Sequence, residues 1–255
     1  MSVFSRVSFG DEVGHWVCLD GDGMHVFDGA PFEKGRVVRV ARPEEAREHL
    51  APVVPKKIVC VGRNFGAHAK ELGHEAPKEP LIFLKPPSSI IAAGTSIELP
   101  RQAQRVDHEA ELGVVIGKRA RDVSEVDALS HVFGYTVVND VTARDLQKSD
   151  GQWSRAKGFD TFCPVGPVIV TDLDPTTLRV RCLVNGETRQ DDVTSSMLFS
   201  VAAVIAYVSA AMTLEPGDLI AMGTPAGVSP LSPGDLVEVV IDGIGSLANP
   251  VVARG

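Results

Sequence analysis

Cysteine is scarce, with four residues in a chain of 255, at positions 18, 60, 163 and 182. None forms a CxxC pair and no histidine cluster stands beside them, which argues against a disulfide framework or a zinc site. Reduced, mostly buried thiols are the expectation. Positive charge is in deficit: 25 Lys and Arg face 33 Asp and Glu, for a net charge of -8. That balance removes the phosphate-neutralising surface that nucleic-acid binding relies on, and the attraction to anionic lipid. Long apolar runs are missing too. The longest, Val201 to Met212, is interrupted by Ser209 and is too short to span about 30 Å of hydrocarbon. It reads as a buried helix. The opening MSVFSRVSFGDEVGH carries charge too early for a signal-peptide core. A cytoplasmic protein without nucleic-acid or membrane partners is expected.

Several motifs stop short. No GxGxxG occurs. Gly113-Val-Val-Ile-Gly117-Lys118 has three residues between its glycines where a P-loop has four, and Arg119 follows where Ser or Thr belongs, so nucleotide binding is rejected. HEAEL lacks the second histidine of HExxH, which excludes a zincin site.

What is present is an ordinary globular composition, 44% apolar and 23% charged, in a chain long enough for one large domain with a small appendage. A chain of this length buries about three quarters of its unfolded surface, so it needs no staples. HWVCL and MHVFDG alternate around Asp20-Gly21-Asp22-Gly23, a hairpin signal. PFEKGRVVRV reads as a further strand, PEEAREHL as a short helix, and Ala51-Pro-Val-Val-Pro55 as a linker. Residues 1–52 are therefore expected to form a small β-rich module, with the catalytic domain at 56–255. Strands are expected at KIVCVG, LIFLKP, HEAELGVVIG, GYTVVND, PVGPVIV, LRVRCLVNG, DLIAMG and DLVEVVIDG, and a helix at 197–212 behind Thr194-Ser195-Ser196. Strands dominate, so the fold class is α+β, β-rich and mixed.

Glu109 and Glu111 stand two apart. On a strand that spacing puts both on one face. Like charges side by side are unfavourable unless a cation lies between them. The run HEAELGVVIG alternates at first and then becomes apolar, so one end reads as exposed and the other as buried. Asp140 sits where GYTVVND leaves its strand. Three oxygen donors without His or Cys suit a hard cation, Mg2+ or Mn2+. A solvated strand face is the alternative reading. His68 and Glu71 lie three apart, on one face of a short helix from about Asn64 to Leu72 closed by Gly73. A carboxylate beside an imidazole orients it for general-base work, and Gly66, Gly73 and Pro77 suggest a lid. An exposed pair on a surface helix is the alternative here.

Seven blocks then line up in order: CVGRNFGAHAKE (60–71), EPLIFLKP (79–86), DHEAELGVVIGKR (107–119), GYTVVNDVTARDLQ (134–147), WSRAKGFDTFCPVGP (153–167), VNG with Gln190, and TLEPGDLIAMGTPAGV (213–228). Over residues 56–250 the chain resembles the fumarylacetoacetate hydrolase family, most closely its short members, which include acylpyruvate hydrolases, oxaloacetate decarboxylases and catabolic isomerases. The resemblance implies the family's mixed β-sandwich or β-roll, behind a small N-terminal β module. It implies that Glu109, Glu111 and Asp140 bind one Mg2+, or Mn2+. It implies that His68 and Glu71 form a dyad on a lid, that Lys157 is the active-site lysine, that Arg144 and Gln147 line the substrate pocket and Thr224 contacts the substrate, and that Arg63 and Asn64, which open the first block, also face the pocket and bind substrate. Phe65 stands where tyrosine is common and Gly158 where serine often follows the lysine. An additional aspartate ligand of fumarylacetoacetase is absent, which argues against fumarylacetoacetate itself as substrate.

The implied enzyme acts on 2-oxo or diketo acids through an enolate that the ion stabilises. C–C bond hydrolysis of acylpyruvates or decarboxylation of oxaloacetate comes first. Isomerisation of 2-hydroxyhepta-2,4-diene-1,7-dioate in aromatic catabolism is the alternative, and a non-catalytic metal-binding β module is the reading from another class. A homodimer is expected.

Overall fold

A computed structural model describes residues 1–21 and 23–255. Asp22, third in the expected hairpin turn, lies outside the described residues. The strands on either side pair as the alternation demands, with Asp20 opposite Gly23.

The chain opens with β1 (Val3–Phe9), β2 (Glu12–Asp20), β3 (Gly23–Phe27), β4 (Val37–Ala41) and β5 (Glu48–Leu50). Next come β6 (Ile58–Gly62), α1 (Gly66–Glu71), β7 (Leu81–Lys85), β8 (Ile90–Ile91), β9 (Ile97–Leu99), β10 (Val106–Asp107) and β11 (Ala110–Ile116). They are followed by α2 (Glu125–Ala128), β12 (Val132–Asn139), β13 (Thr142–Ala143), α3 (Arg144–Asp150), α4 (Ser154–Lys157) and β14 (Cys163–Val170). The remainder is β15 (Arg179–Val184), β16 (Glu187–Val193), α5 (Val201–Ala211), β17 (Leu219–Ala221), β18 (Leu236–Ile241) and β19 (Gly245–Ala253).

The large mixed sheet runs β4-β3-β2-β1-β14-β12-β11-β17-β6-β7. A second sheet runs β16-β15-β18-β19-β9. The two pack face to face through an apolar layer in which Val59, Leu112 and Val137 of the first meet Val180, Val239 and Leu247 of the second, with the apolar helix α5 closing one side. The opposite face of the large sheet is covered by Trp16, Val53 and Phe32, which pack on Val115, Val165, Ile169 and Leu219. The architecture is the β-rich mixed fold with few helices read from the sequence.

Three local readings need correction. PEEAREHL is a single 3-10 turn at Pro43–Glu45 followed by β5, because its only apolar residues, Ala46 and Leu50, give no helical stripe. The helix expected at 197–212 begins at Val201. Leu198 and Phe199 are held out of the helix by Asn64, which bonds their backbones, and Ser200 caps the helix by accepting from Ala203 N at 3.1 Å. The HEAE end of β11 is not exposed: Glu109 and Glu111 retain 4% and 2% of their accessible surface, which removes the solvated-face reading.

Register then places the site. Ala110 pairs with Asn139, so Glu109 and Asp140 flank the same rung, and Asp140 N donates to Glu109 O at 2.9 Å. Strand β17 runs antiparallel to β11 and parallel to β6. The loop leaving β17, the start of α1 and the acidic end of β11 therefore meet at one end of these interior strands. Among the described residues no helix is long and apolar enough to cross a membrane.

Candidate active site

At those strand ends a cavity of about 550 Å³ opens, with Glu109, Glu111, Asp140, Lys157, His68, Arg63, Arg144, Gln147 and Thr224 on its wall. Oxygens of Glu109, Glu111 and Asp140 all lie within 4.8 Å of one another. Apolar wall is supplied by Val61, Leu72, Phe83 and Trp153.

The charges around the three acids alternate. Arg105 donates to Asp107 at 2.9 and 3.0 Å. Arg144 donates to Asp107 at 2.8 Å and to Glu109 at 2.5 Å. Lys157 bridges Glu109 and Asp140 at 2.6 Å each, and Lys85 donates to the other oxygen of Asp140 at 2.6 Å and to Val141 O at 3.3 Å. The ladder runs from a half-exposed arginine to a fully buried lysine. Buried charges are tolerable only when each has a partner, and here every acid but one has a cation. Glu111 is the exception: among the described residues its carboxylate meets the Gly223 N–H at 2.8 Å and no cation within 4.0 Å.

Titration follows from this asymmetry. Burial, with Asp140 and Glu109 beside it, pushes Glu111 well above the usual carboxylate range. Burial acts on Glu109 in the same sense, but Lys157 and Arg144 outweigh it and hold Glu109 far below that range. Burial works to lower Lys157, yet Asp140 and Glu109 hold its ammonium firmly protonated.

His68 sits on α1 with 4% of its surface accessible, its Nδ1 3.2 Å from Glu71 Oε2. Burial lowers its pKa below the ordinary 6.5, more than Glu109 and Glu71 raise it. The ring is therefore neutral at pH 7. With Nδ1–H directed to Glu71, its Nε2 is left as an acceptor. Glu71 stands behind the cavity wall and also accepts from Gly227 N at 3.0 Å.

Asn64 does not reach the cavity. Its amide donates to Phe199 O and Met222 O and accepts from Phe199 N, so it fastens the loop after β17 to the start of α5. Phe65 is likewise buried off the wall. Gly223 lies against this joint with φ +91, and a Cβ there would stand 2.7 Å from Asn64 Cβ and 2.9 Å from Val61 O. Arg63 lines the cavity in a left-handed conformation, φ +57, with its guanidinium 5.8 Å from the Trp153 ring centroid. Among the described residues it has no carboxylate partner. Lys85, Asp107 and Arg105 were not singled out by sequence reasoning. A lysine placed just before Pro86-Pro87, at the inner end of an apolar strand, was the available signal for Lys85.

The fumarylacetoacetate hydrolase C-terminal family model matches residues 57–252. The chain belongs to the fumarylacetoacetate hydrolase family. Within it, the chain is 47% identical over 204 residues to the oxaloacetate tautomerase FAHD1, mitochondrial, of Arabidopsis thaliana, a match covering 78% of this chain and 92% of that one. A crystal structure of 2-hydroxyhepta-2,4-diene-1,7-dioate isomerase from Mycobacterium marinum superimposes with a TM-score of 0.91 at 43% identity, covering 100% of both chains. Maleylpyruvate hydrolase from Sphingobium sp. SYK-6, solved with manganese (II) and pyruvate, gives a TM-score of 0.81 at 29% identity, again over 100% of both chains. The chain is an enzyme of this family.

Proposed function

We propose that the enzyme interconverts keto and enol forms of a 2-oxo acid that carries a second carbonyl or carboxylate. The observation that carries this reading is a buried imidazole oriented by Glu71 in the same cavity as a triad of buried acids and Lys157. The donor set fits a hard dication: three carboxylates, no nitrogen or sulfur, and one member, Glu111, without a cationic partner. Glu109, Glu111 and Asp140 would hold one Mg2+ or Mn2+. When bound, that ion supplies Lewis-acid polarisation of the oxo acid.

The protein's own groups do the rest. His68 takes the proton from the carbon beside the carbonyl, Glu71 steadies the resulting imidazolium, and the ring then delivers its proton to the oxo oxygen to give the enol; the reverse path takes the enol proton and places it on carbon. Lys157 supplies fixed positive charge where the oxo oxygen becomes negative. Arg144 holds Glu109 in place, and Gln147 in turn braces Arg144 at 3.0 Å. Arg63, unpaired on the wall, binds the distal anionic end. Thr224 lines the substrate's path.

Hydrolytic C–C cleavage of acylpyruvates, or decarboxylation of oxaloacetate, is the second reading. It needs the same residues, and the similarity to a maleylpyruvate hydrolase supports it. Residues 1–52 as an appended module, a homodimer and a cytoplasmic location belong to the same proposal.

The test uses enol oxaloacetate, acetylpyruvate and 2-hydroxyhepta-2,4-diene-1,7-dioate, each with Mg2+ or with chelator. Rapid loss of enol absorbance without release of pyruvate or CO2, abolished in His68→Asn, is the expected result. Pyruvate release at the rate of absorbance loss selects the second reading. No effect on any of the three refutes both.

A further inference from the structure

Strand β16 is almost entirely solvent-facing, and Gln190 is its one buried residue. All four hydrogen-bonding positions of the Gln190 amide are in use. Its Oε1 accepts from Ala110 N and from His108 Nδ1, both at 3.0 Å. Its Nε2 donates to Thr224 Oγ1 and to Pro225 O, both at 2.7 Å. The amide has only one orientation that satisfies these partners, since a backbone N–H can only donate and a carbonyl can only accept.

These bonds join two segments that both enter the site. One is 108–110, which contains Glu109 and is followed directly by Glu111. The other is the loop Gly223–Gly227, which within five residues bonds two functional side chains and supplies a third group, Thr224, to the cavity wall. Gly223 N donates to Glu111 at 2.8 Å, Thr224 lines the cavity and donates to Ala110 O at 2.9 Å, and Gly227 N donates to Glu71 at 3.0 Å. The far end of the loop also rests on β16: Gly227 has φ +103, and a Cβ there would stand 2.0 Å from Arg189 O and 3.3 Å from Gln190 Cα.

We propose that Gln190 is a positioning residue which, by fixing the Gly223–Gly227 loop, sets Glu111 and Glu71 relative to each other and so holds the cation site and the His68–Glu71 pair in one frame. Gln190 touches neither pair directly. Its effect passes through the loop, and this gives the second sheet a part in the chemistry. The inference rests on the assignment of Glu71 and the acid triad made above.

Gln190→Glu is the informative change, because it keeps the acceptor toward Ala110 and His108 but puts an oxygen against Pro225 O. The full-length enzyme, wild type, Gln190→Glu, Glu71→Gln and the double variant, is compared at saturating Mn2+ by hydrogen exchange of peptides covering 222–228 and by kcat and KM. Exchange of that segment should quicken at least about tenfold in Gln190→Glu while β11 and β12 stay protected. Its kcat should fall about tenfold with KM little changed. In the Glu71→Gln background the same change should lower kcat by less than about threefold, because at saturating Mn2+ the ion itself holds Glu111 and the remaining effect of Gln190 passes through Glu71. Losses that multiply, or a loop whose exchange does not change, overturn the proposal. Should Glu71→Gln keep wild-type kcat, the base assignment fails, and the exchange result alone then upholds or overturns the hold of Gln190 on the loop. Gly227→Ala, which pushes the loop off β16 from the other end, gives the same readouts if Gln190→Glu does not fold.

Discussion

Lys85 is the sharpest test of how the buried charges are held. Its side chain is wholly inaccessible, and its ammonium serves Asp140 at 2.6 Å and Val141 O at 3.3 Å. Methionine fills nearly the same volume without charge, so Lys85→Met removes the partner and little of the packing. Breaking one side of a buried ion pair costs about 3–5 kcal/mol, because the remaining charge stays out of water. Asp140 would still be served by Lys157 at 2.6 Å, so the loss should lie nearer about 2–4 kcal/mol. With a urea slope of about 3 kcal/mol/M, that lowers the unfolding midpoint by roughly 1 M in chelator. Mn2+ should restore part of the loss, since a dication beside Asp140 replaces the missing positive charge. A midpoint within about 0.2 M of wild type in chelator would refute the claim that Lys85 neutralises Asp140.

The remaining predictions concern the base and the wall. His68→Asn should lower kcat by about 10²–10⁴ with Mn2+ affinity unchanged, read by isothermal titration and steady-state rates. Because burial depresses the His68 pKa, the base is unprotonated at neutral pH, and kcat/KM should fall on the acid side only below pH 6.5; an acid limb above 6.5 contradicts the assignment. Arg63→Met should raise KM for a dicarboxylate by about tenfold or more, the scale of one lost charge-assisted hydrogen bond, and leave KM for acetylpyruvate nearly unchanged. Equal effects on both substrates would remove Arg63 from distal anion recognition.

Much of the site was legible because its geometry is local. Glu109 and Glu111 share a face through the two-residue strand period, and His68 and Glu71 share one through the helical turn. Asp140 was marked by its place at a strand exit. The groups whose roles went unread act across the fold. Lys85 lies 55 positions from Asp140, and Gln190 lies 80 positions from Ala110, so neither has a local pattern that announces its partner. Asn64 misled for the same reason: its motif pointed to the cavity, but pairing with Phe199 and Met222 takes up its amide. Turn chemistry found the β2–β3 hairpin, whereas α5 starts at a second capping signal, Ser200, behind Thr194–Ser196, with the residues before it held by a long-range contact to Asn64.

Metal dependence decides the central claim. Mn2+ binding to the chelator-stripped enzyme, followed by electron paramagnetic resonance alongside turnover of enol oxaloacetate, should show one ion per chain and activity rising in proportion to it. Glu109→Gln, Glu111→Gln and Asp140→Asn should each lose both together. Full turnover by the stripped enzyme, or tight Mn2+ binding that survives Asp140→Asn, would contradict the account.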